Sequence, residues 1–422
     1  MTATLYRDGA LADGRSDRLR LGVSILVVDG TIVWIRPSDD EGTLIAPAGA
    51  GEAPRATAAP RAGAASGAIG DPPNVVDASG STFIPGMVDC HSHLTLPGGA
   101  HWIQRIDDPP HRLLDVAEAN GRLMTGAGIR WARDVGAPFV ADPVDGRLRA
   151  LSLGVRDRWR GRPGFPRVRA AGTWLDRTGT MPGERSVEAN NADELLALAM
   201  GQLDDGADLL KLYLDGPVAG ESPWTRDELR PVMAAAHARG VKVTAHSGNL
   251  AGAREGVAAG VDALEHGMEL DADVAAAMAA QGTALVSTLS IFRSWKSFGD
   301  TTSIERFASP EGRARVLARQ ERAEESVRLA HAAGVAIATG TDFGGGSTRA
   351  NQLAWEAECL VAAGLQPWEA LGAATWRGGE LLGEPEAGVI REGGPADFSL
   401  VHGDPLSDPT SLWRVWHVAW SV

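Results

Sequence analysis

From Thr82 to about residue 340 the chain alternates short apolar, strand-like runs with amphipathic helical stretches, and this alternation leaves few folds open. Strand-like runs fall near 83–88, 129–134, 167–172, 208–213, 241–246, 262–265, 284–289 and 335–340. Helical patterns such as 192–203, 226–238, 272–280 and 313–333 lie between them. Eight such units match the roughly 250 residues of a closed (β/α)8 TIM barrel of the α/β class. The flanks read differently. Residues 20–28 and 31–35 are β-branched runs joined by Asp29-Gly30, a favoured hairpin turn. Residues 388–400 and 415–422 also read as strands. The expected organisation is a small β-sandwich domain built from 1–81 and 383–422, beside a barrel over 82–382. Residues 46–73 are rich in Ala, Gly and Pro, and read as a flexible insertion.

Composition narrows the function. A net charge of −14 argues against nucleic acid and anionic membranes as partners. No apolar run approaches the roughly 20 residues that span a bilayer. The start of the chain lacks a signal-peptide pattern, so a cytoplasmic location is expected. Two cysteines, Cys90 and Cys359, make no disulfide framework. A small-molecule substrate is the expected partner, and a homo-oligomer is left open.

Reactive groups of such a barrel stand at the C-terminal ends of its strands. The first strand ends in Asp89-Cys90-His91-Ser92-His93, the fourth carries Lys211, the fifth ends at His246, the sixth at His266 and the eighth at Asp342. His91 and His93 are two apart, so both imidazoles point to one side of an extended chain and can share an ion, while Cys90 points away. Lys211 is one of only three lysines, with Lys242 and Lys296, among 40 basic residues. A buried ammonium beside cations is repelled and desolvated, and its pKa falls. The neutral amine can take up CO2 as a carbamate, whose two oxygens can bridge two metals; arginine cannot do this. A salt bridge to Asp215 is the plainer alternative.

These residues resemble the amidohydrolase superfamily, in its binuclear metal type. Pro85-Gly86-Met87-Val88-Asp89-Cys90-His91-Ser92-His93 matches its first-strand signature, and Lys211, His246, His266 and Asp342 match its other ligands. The tail, with Gly393-Gly394-Pro395-Ala396-Asp397-Phe398 and Gly403-Asp404-Pro405-Leu406, is similar to its closing β-domain. Gly128-Ile129-Arg130-Trp131-Ala132-Arg133-Asp134-Val135-Gly136 resembles the imidazolonepropionase-like, Xaa-Pro (Xaa-Arg) dipeptidase and ochratoxinase-like branch. Peptidases of that branch carry Gly-Gly-His-Gly after the third strand, where this chain reads Arg177-Thr178-Gly179-Thr180-Met181.

The resemblance implies a hydrolase of C–N bonds in amides, peptide-like or cyclic amides. His91, His93 and Asp342 would bind one ion, His246 and His266 the other, and carbamylated Lys211 would bridge them. Asp342 would be general base and acid for a metal-bridging hydroxide. The ligands suit two Zn2+ best, with Mn2+, Fe2+ or Co2+ as alternatives. Tyr213, two residues past Lys211, is read as a donor to the substrate carbonyl or as rim packing. Arg133 is read as holding a substrate carboxylate or as salt-bridged to an acid. His101 and His111 are surface residues or pocket lining. Trp102, Trp174, Phe292, Trp295 and Phe298 suggest a partly apolar substrate. The rival functions are a mononuclear deaminase or imidazolone hydrolase, a ring-opening or ring-closing biosynthetic enzyme, and a non-enzymatic scaffold.

Overall fold

The structure, a computed structural model, describes residues 2–43, 72–181 and 186–420. The expected insertion, 46–73, lies outside them save for its last two residues. The terminal sheet begins with β1 (Ala3–Leu11), β2 (Arg20–Val28), β3 (Thr31–Pro37), β4 (Asn74–Asp77) and β5 (Ser81–Pro85). The barrel strands are β6 (Met87–Ser92), β7 (Ile129–Asp134), β10 (Arg167–Arg177), β12 (Leu209–Tyr213), β13 (Lys242–Ser247), β14 (Ala263–His266), β15 (Ala284–Ser287) and β16 (Ile337–Thr339). Two short strands, β8 (Phe139–Ala141) and β9 (Leu148–Ala150), make a hairpin beyond β7, and β11 (Val187–Ala189) extends β10. The chain ends with β17 (Phe398–His402) and β18 (Val415–Val418).

Consecutive barrel strands pair in parallel from β6 round to β16. Residues just past β16 complete the ring. Asp342 N donates to His91 O at 2.8 Å, and Thr341 Oγ1 donates to Asp89 Oδ2 at 2.6 Å. The helices between strands start where side chains cap them. Thr225 accepts from Glu228 N while Glu228 accepts from Thr225 N at 2.9 Å, a reciprocal cap that fixes the start of helix Arg226–Ala238. Among the described residues no helix is long and apolar enough to cross a membrane.

The terminal sheet has the order β18-β17-β5-β1-β2-β3, with β4 also on β1. It curls on itself: Ile32 N donates to Gly394 O and Ala396 N to Gly30 O, so the segment leading into β17 also ties the β3 edge. Tyr6, Phe83 and Phe398 fill its interior edge to face, with centroids 5.0 to 6.4 Å apart. Two expectations are corrected. The run near 83–88 is two strands, not one: β5 closes the terminal sheet and β6 opens the barrel. Gly86 sits at the break, where its N donates to Asp397 O at 2.9 Å and a Cβ would lie 2.3 Å from Arg130 Cγ. At the other end, the strand expected over 388–400 is confined to Phe398–His402.

Candidate active site

The barrel brings the six sequence-selected residues to one mouth. His91, His93, Lys211, His266 and Asp342 are buried, and His246 is half-buried. The ring centroids run His93 to His91 at 5.3 Å, His91 to His266 at 4.5 Å and His266 to His246 at 4.6 Å. Lys211 is close enough to His91 and His266 for its charge to depress both.

Each imidazole has one nitrogen anchored. His93 Nδ1 is 2.7 Å from Gly136 O, which can only accept, so Nδ1 carries the proton. His91 Nδ1 is 2.6 Å from Glu265 Oε2, and His246 Nε2 is 3.0 Å from Asp215 Oδ2. His266 Nδ1 is 2.8 Å from Thr288 Oγ1. The Thr288 hydroxyl can donate to or accept from His266, whereas the carbonyl and carboxylate partners fix the tautomer of His93, His91 and His246 and leave the other ring nitrogen as an electron-pair donor. On His91 and His93 that nitrogen is Nε2, and the two lie 3.4 and 3.3 Å from the same oxygen, Asp342 Oδ1. Three electron-pair donors facing one another within 4.8 Å repel unless a cation lies between them. The residues therefore fit a metal ion.

Protonation follows the same geometry. Burial, then Lys211, lowers His91, and burial with His246 and His91 holds His266 well below the usual imidazole range. Both stay neutral, the form that ligates. Burial works to raise Glu265 and Asp342. For Glu265 it is outweighed by Arg133, Lys211 and His91, for Asp342 by His91 and His93, and both remain carboxylates. Burial brings the Lys211 amine down to about 8, and its Nζ makes no hydrogen bond to a described residue.

The backbone bends to make this. His266 and Asp342 have φ of 68° and 51°, the left-handed region, at a cost of order 1–3 kcal/mol each. At β14 the bend has a consequence. Neighbouring strand residues point to opposite faces, yet Glu265 and His266 both serve the mouth. Gly345 is needed for a different reason: a Cβ there would lie 2.2 Å from His93 Cδ2 and 2.8 Å from Asp342 Oδ1.

Other sequence candidates divide. Tyr213 stacks on His246, with centroids 4.2 Å apart and planes 9° apart. Burial and then Asp215 raise its hydroxyl, which stays protonated and makes no hydrogen bond to a described residue. Arg133 is not free to hold a substrate: its Nε donates to Cys90 O at 2.6 Å and its Nη2 to Glu265, so the internal salt bridge is the reading that holds. Asp215 pairs with His246 instead of Lys211. His101 and His111 are exposed. Cys90 packs outward near Gly378. Trp102 and Phe292 bury their rings against neighbouring aromatics, whereas Trp174 lies 5.4 Å from the His93 ring. After the third strand, Asp176 organises the loop that lacks a histidine by accepting from Arg177 N and Met181 N. Sequence reasoning missed Glu265 and the role of Asp215; only the adjacency of Glu265 to His266 pointed at either.

A family model described as the amidohydrolase family matches residues 82–418. An uncharacterised protein of Mycobacterium tuberculosis, Rv2915c, is 30% identical over 340 residues, covering 79% of this chain and 82% of that protein. The imidazolonepropionase of Saccharopolyspora erythraea is 27% identical, covering 98% of this chain and 94% of its own. The crystal structure of a Xaa-Pro dipeptidase with methionine bound in its active site superposes with a TM-score of 0.79 at 23% identity, over 100% of this chain and 98% of that one. By family and by barrel, the chain belongs to the amidohydrolase family and is a hydrolase acting on carbon–nitrogen bonds.

Proposed function

We propose that the chain hydrolyses an amide or peptide-like C–N bond at a pair of divalent ions, Zn2+ by preference. His91, His93 and Asp342 would hold one ion, His246 and His266 the other, and a carbamate on Lys211 both. The observation that carries this reading is Lys211: a buried amine with no hydrogen bond to a described residue, its pKa lowered to about 8, near His91 and His266 and beside the cluster of His91, His93 and Asp342. Two ions, when bound, supply Lewis-acid activation of water and of the scissile carbonyl.

The chain's own residues do the rest. Asp342, kept ionised, accepts the proton of the attacking water and returns it to the departing amine nitrogen. Tyr213, kept protonated, donates its hydroxyl to the carbonyl oxygen as negative charge develops there. Glu265 and Asp215 hold His91 and His246 in the ligating tautomer. A deaminase would need a proton-carrying acid soon after His246. The first in sequence, Glu255, instead accepts from Arg226 Nη2 at 2.8 Å. The likeness to a dipeptidase with a bound amino acid favours peptide-like substrates.

The test is to load the protein with zinc and assay N-acyl amino acids, dipeptides and cyclic amides for C–N cleavage. Turnover that disappears on chelation and returns with zinc is expected. Ammonia release from aminated purines or pyrimidines, with no amide cleaved, would contradict the reading.

A further inference from the structure

Helix Pro310–Ala332 runs along the barrel past the loop that leaves His266. At 23 residues it is about 34 Å long. Ser326 Oγ accepts from Leu270 N at 2.9 Å, and Arg322 Nε lies 3.3 Å from Glu269 Oε1, which pins the middle of the helix to that loop. One turn nearer its start, Arg319 reaches Met268, two residues past His266, with Nη2 3.4 Å from Met268 Sδ. Its guanidinium carbon is 5.7 Å from the Trp295 ring centroid. Arg319 is exposed and makes no ion pair with a described residue. It is also close enough to Tyr213 and Asp215 for its charge to act on both.

The charges around the Tyr213 hydroxyl leave this guanidinium over. The acids there are Asp215, Asp176 and Asp342. Asp215 is paired with His246 and accepts from Gly248 N, Asp176 is spent on backbone N–H groups, and Asp342 faces His91 and His93. No described carboxylate forms an ion pair with Arg319, although the charge of Asp215 is within its reach. A guanidinium beside the loop that leaves His266, its carbon 5.7 Å from an indole centroid, can take a carboxylate in two parallel hydrogen bonds.

We propose that Arg319 binds a carboxylate carried by the substrate and so orients the scissile amide beneath Tyr213. The substrate class becomes amides that bear a free carboxylate, such as N-acyl amino acids and peptides cut near their C-terminus. This rests on the amide-hydrolase reading above.

The test compares N-acetyl-L-leucine with N-acetyl-L-leucinamide on the zinc-loaded full chain. Wild type should favour the carboxylate by roughly 10- to 100-fold in kcat/KM, the scale of a charge-assisted hydrogen bond. Arg319→Met should erase that preference mainly through KM, and Arg319→Lys should restore part of it. Equal kcat/KM for the two probes in wild type, or a preference that survives in Arg319→Met, overturns the proposal while leaving hydrolysis standing. If neither probe is cut, the hydrolytic reading fails on these substrates, and calorimetric titration with L-leucine decides about Arg319. Binding to wild type that weakens about tenfold in Arg319→Met supports it, and absent or equal binding overturns it.

Discussion

Two buried cations lie at opposite ends of the same barrel and are treated in opposite ways. At the seam with the terminal sheet, Arg130 donates to Asp397 Oδ1 at 2.9 Å and lies 3.6 Å from the Trp420 ring centroid, while Arg167 also pairs with Asp397. At the mouth, Lys211 is as deeply buried and its Nζ makes no hydrogen bond to a described residue, though the charges of Glu265 and Asp342 act on it. Burying a charge without compensation costs several kcal/mol, so folding alone selects the first arrangement. The second is the arrangement that the proposed metal pair and carbamate would complete. The backbone does not separate the two ends: left-handed φ occurs at His266 and Asp342 in the mouth and at Asp8 and Asp29 in the terminal sheet, where the edge-to-face rings of Tyr6, Phe83 and Phe398 fill the interior. What sets the mouth apart is a buried amine beside ligating nitrogens that meet at Asp342; the seam gives its buried guanidinium a carboxylate and an indole face, although Arg130 Nε and Nη1 make no hydrogen bond to a described residue.

The contrast can be broken most sharply at Lys211. Lys211→Ala should lower kcat/KM by roughly 10³-fold or more, the upper range for losing a group that stabilises the transition state. Its melting temperature should hold or rise, because a buried amine that makes no hydrogen bond to a described residue has gone. Short carboxylic acids should restore part of the activity by supplying bridging oxygens. The seam should respond the other way. Arg130→Met should cost about 3 kcal/mol in denaturant unfolding, the scale for stripping one partner from a buried pair, with kcat unchanged. A variant at Arg130 that lost activity without losing stability would erase the distinction.

Between these lie the residues that hold ligands in place. Asp215→Asn should weaken metal retention and activity by about 10- to 100-fold, read by competition with a chelator. It removes the negative charge that holds the His246 Nε2 proton but leaves the imidazole present. The smallest effect belongs to the terminal sheet. Tyr6→Phe deletes the hydroxyl that lies 3.2 Å from His417 Nε2, and should cost about 1 kcal/mol of stability with no change in metal content.

Much of this was legible in the sequence, and the physical reasons are specific. The alternation of strand-like runs with helical stretches places β7, β12 and β13 to within a residue, although β7 and β13 carry buried polar side chains between their apolar ones. Ligand types at strand ends stood out because His91-Ser92-His93 and a rare lysine are hard to place otherwise. Gly86 hid the boundary between β5 and β6, since one residue separates two strands whose side chains are all apolar or buried. Glu265 was hidden by strand periodicity: next to His266 it should point away, and only the left-handed bend at His266 brings both inward. Arg133 sits at a strand end like a substrate contact, but its partner Glu265 is 132 residues away and no local pattern links them. Arg319 was invisible for the same reason, as one arginine among several on a charged helix.

The central claim is that the mouth holds two divalent ions with Lys211 between them. A crystal structure of the zinc-loaded protein, with anomalous data at the zinc edge, tests it directly. The account requires two anomalous peaks beside His91, His93, His246, His266 and Asp342, and density for a planar carboxylate group continuing from Lys211 Nζ. A single peak, or a bare amine at Lys211 in fully active crystals, would contradict it.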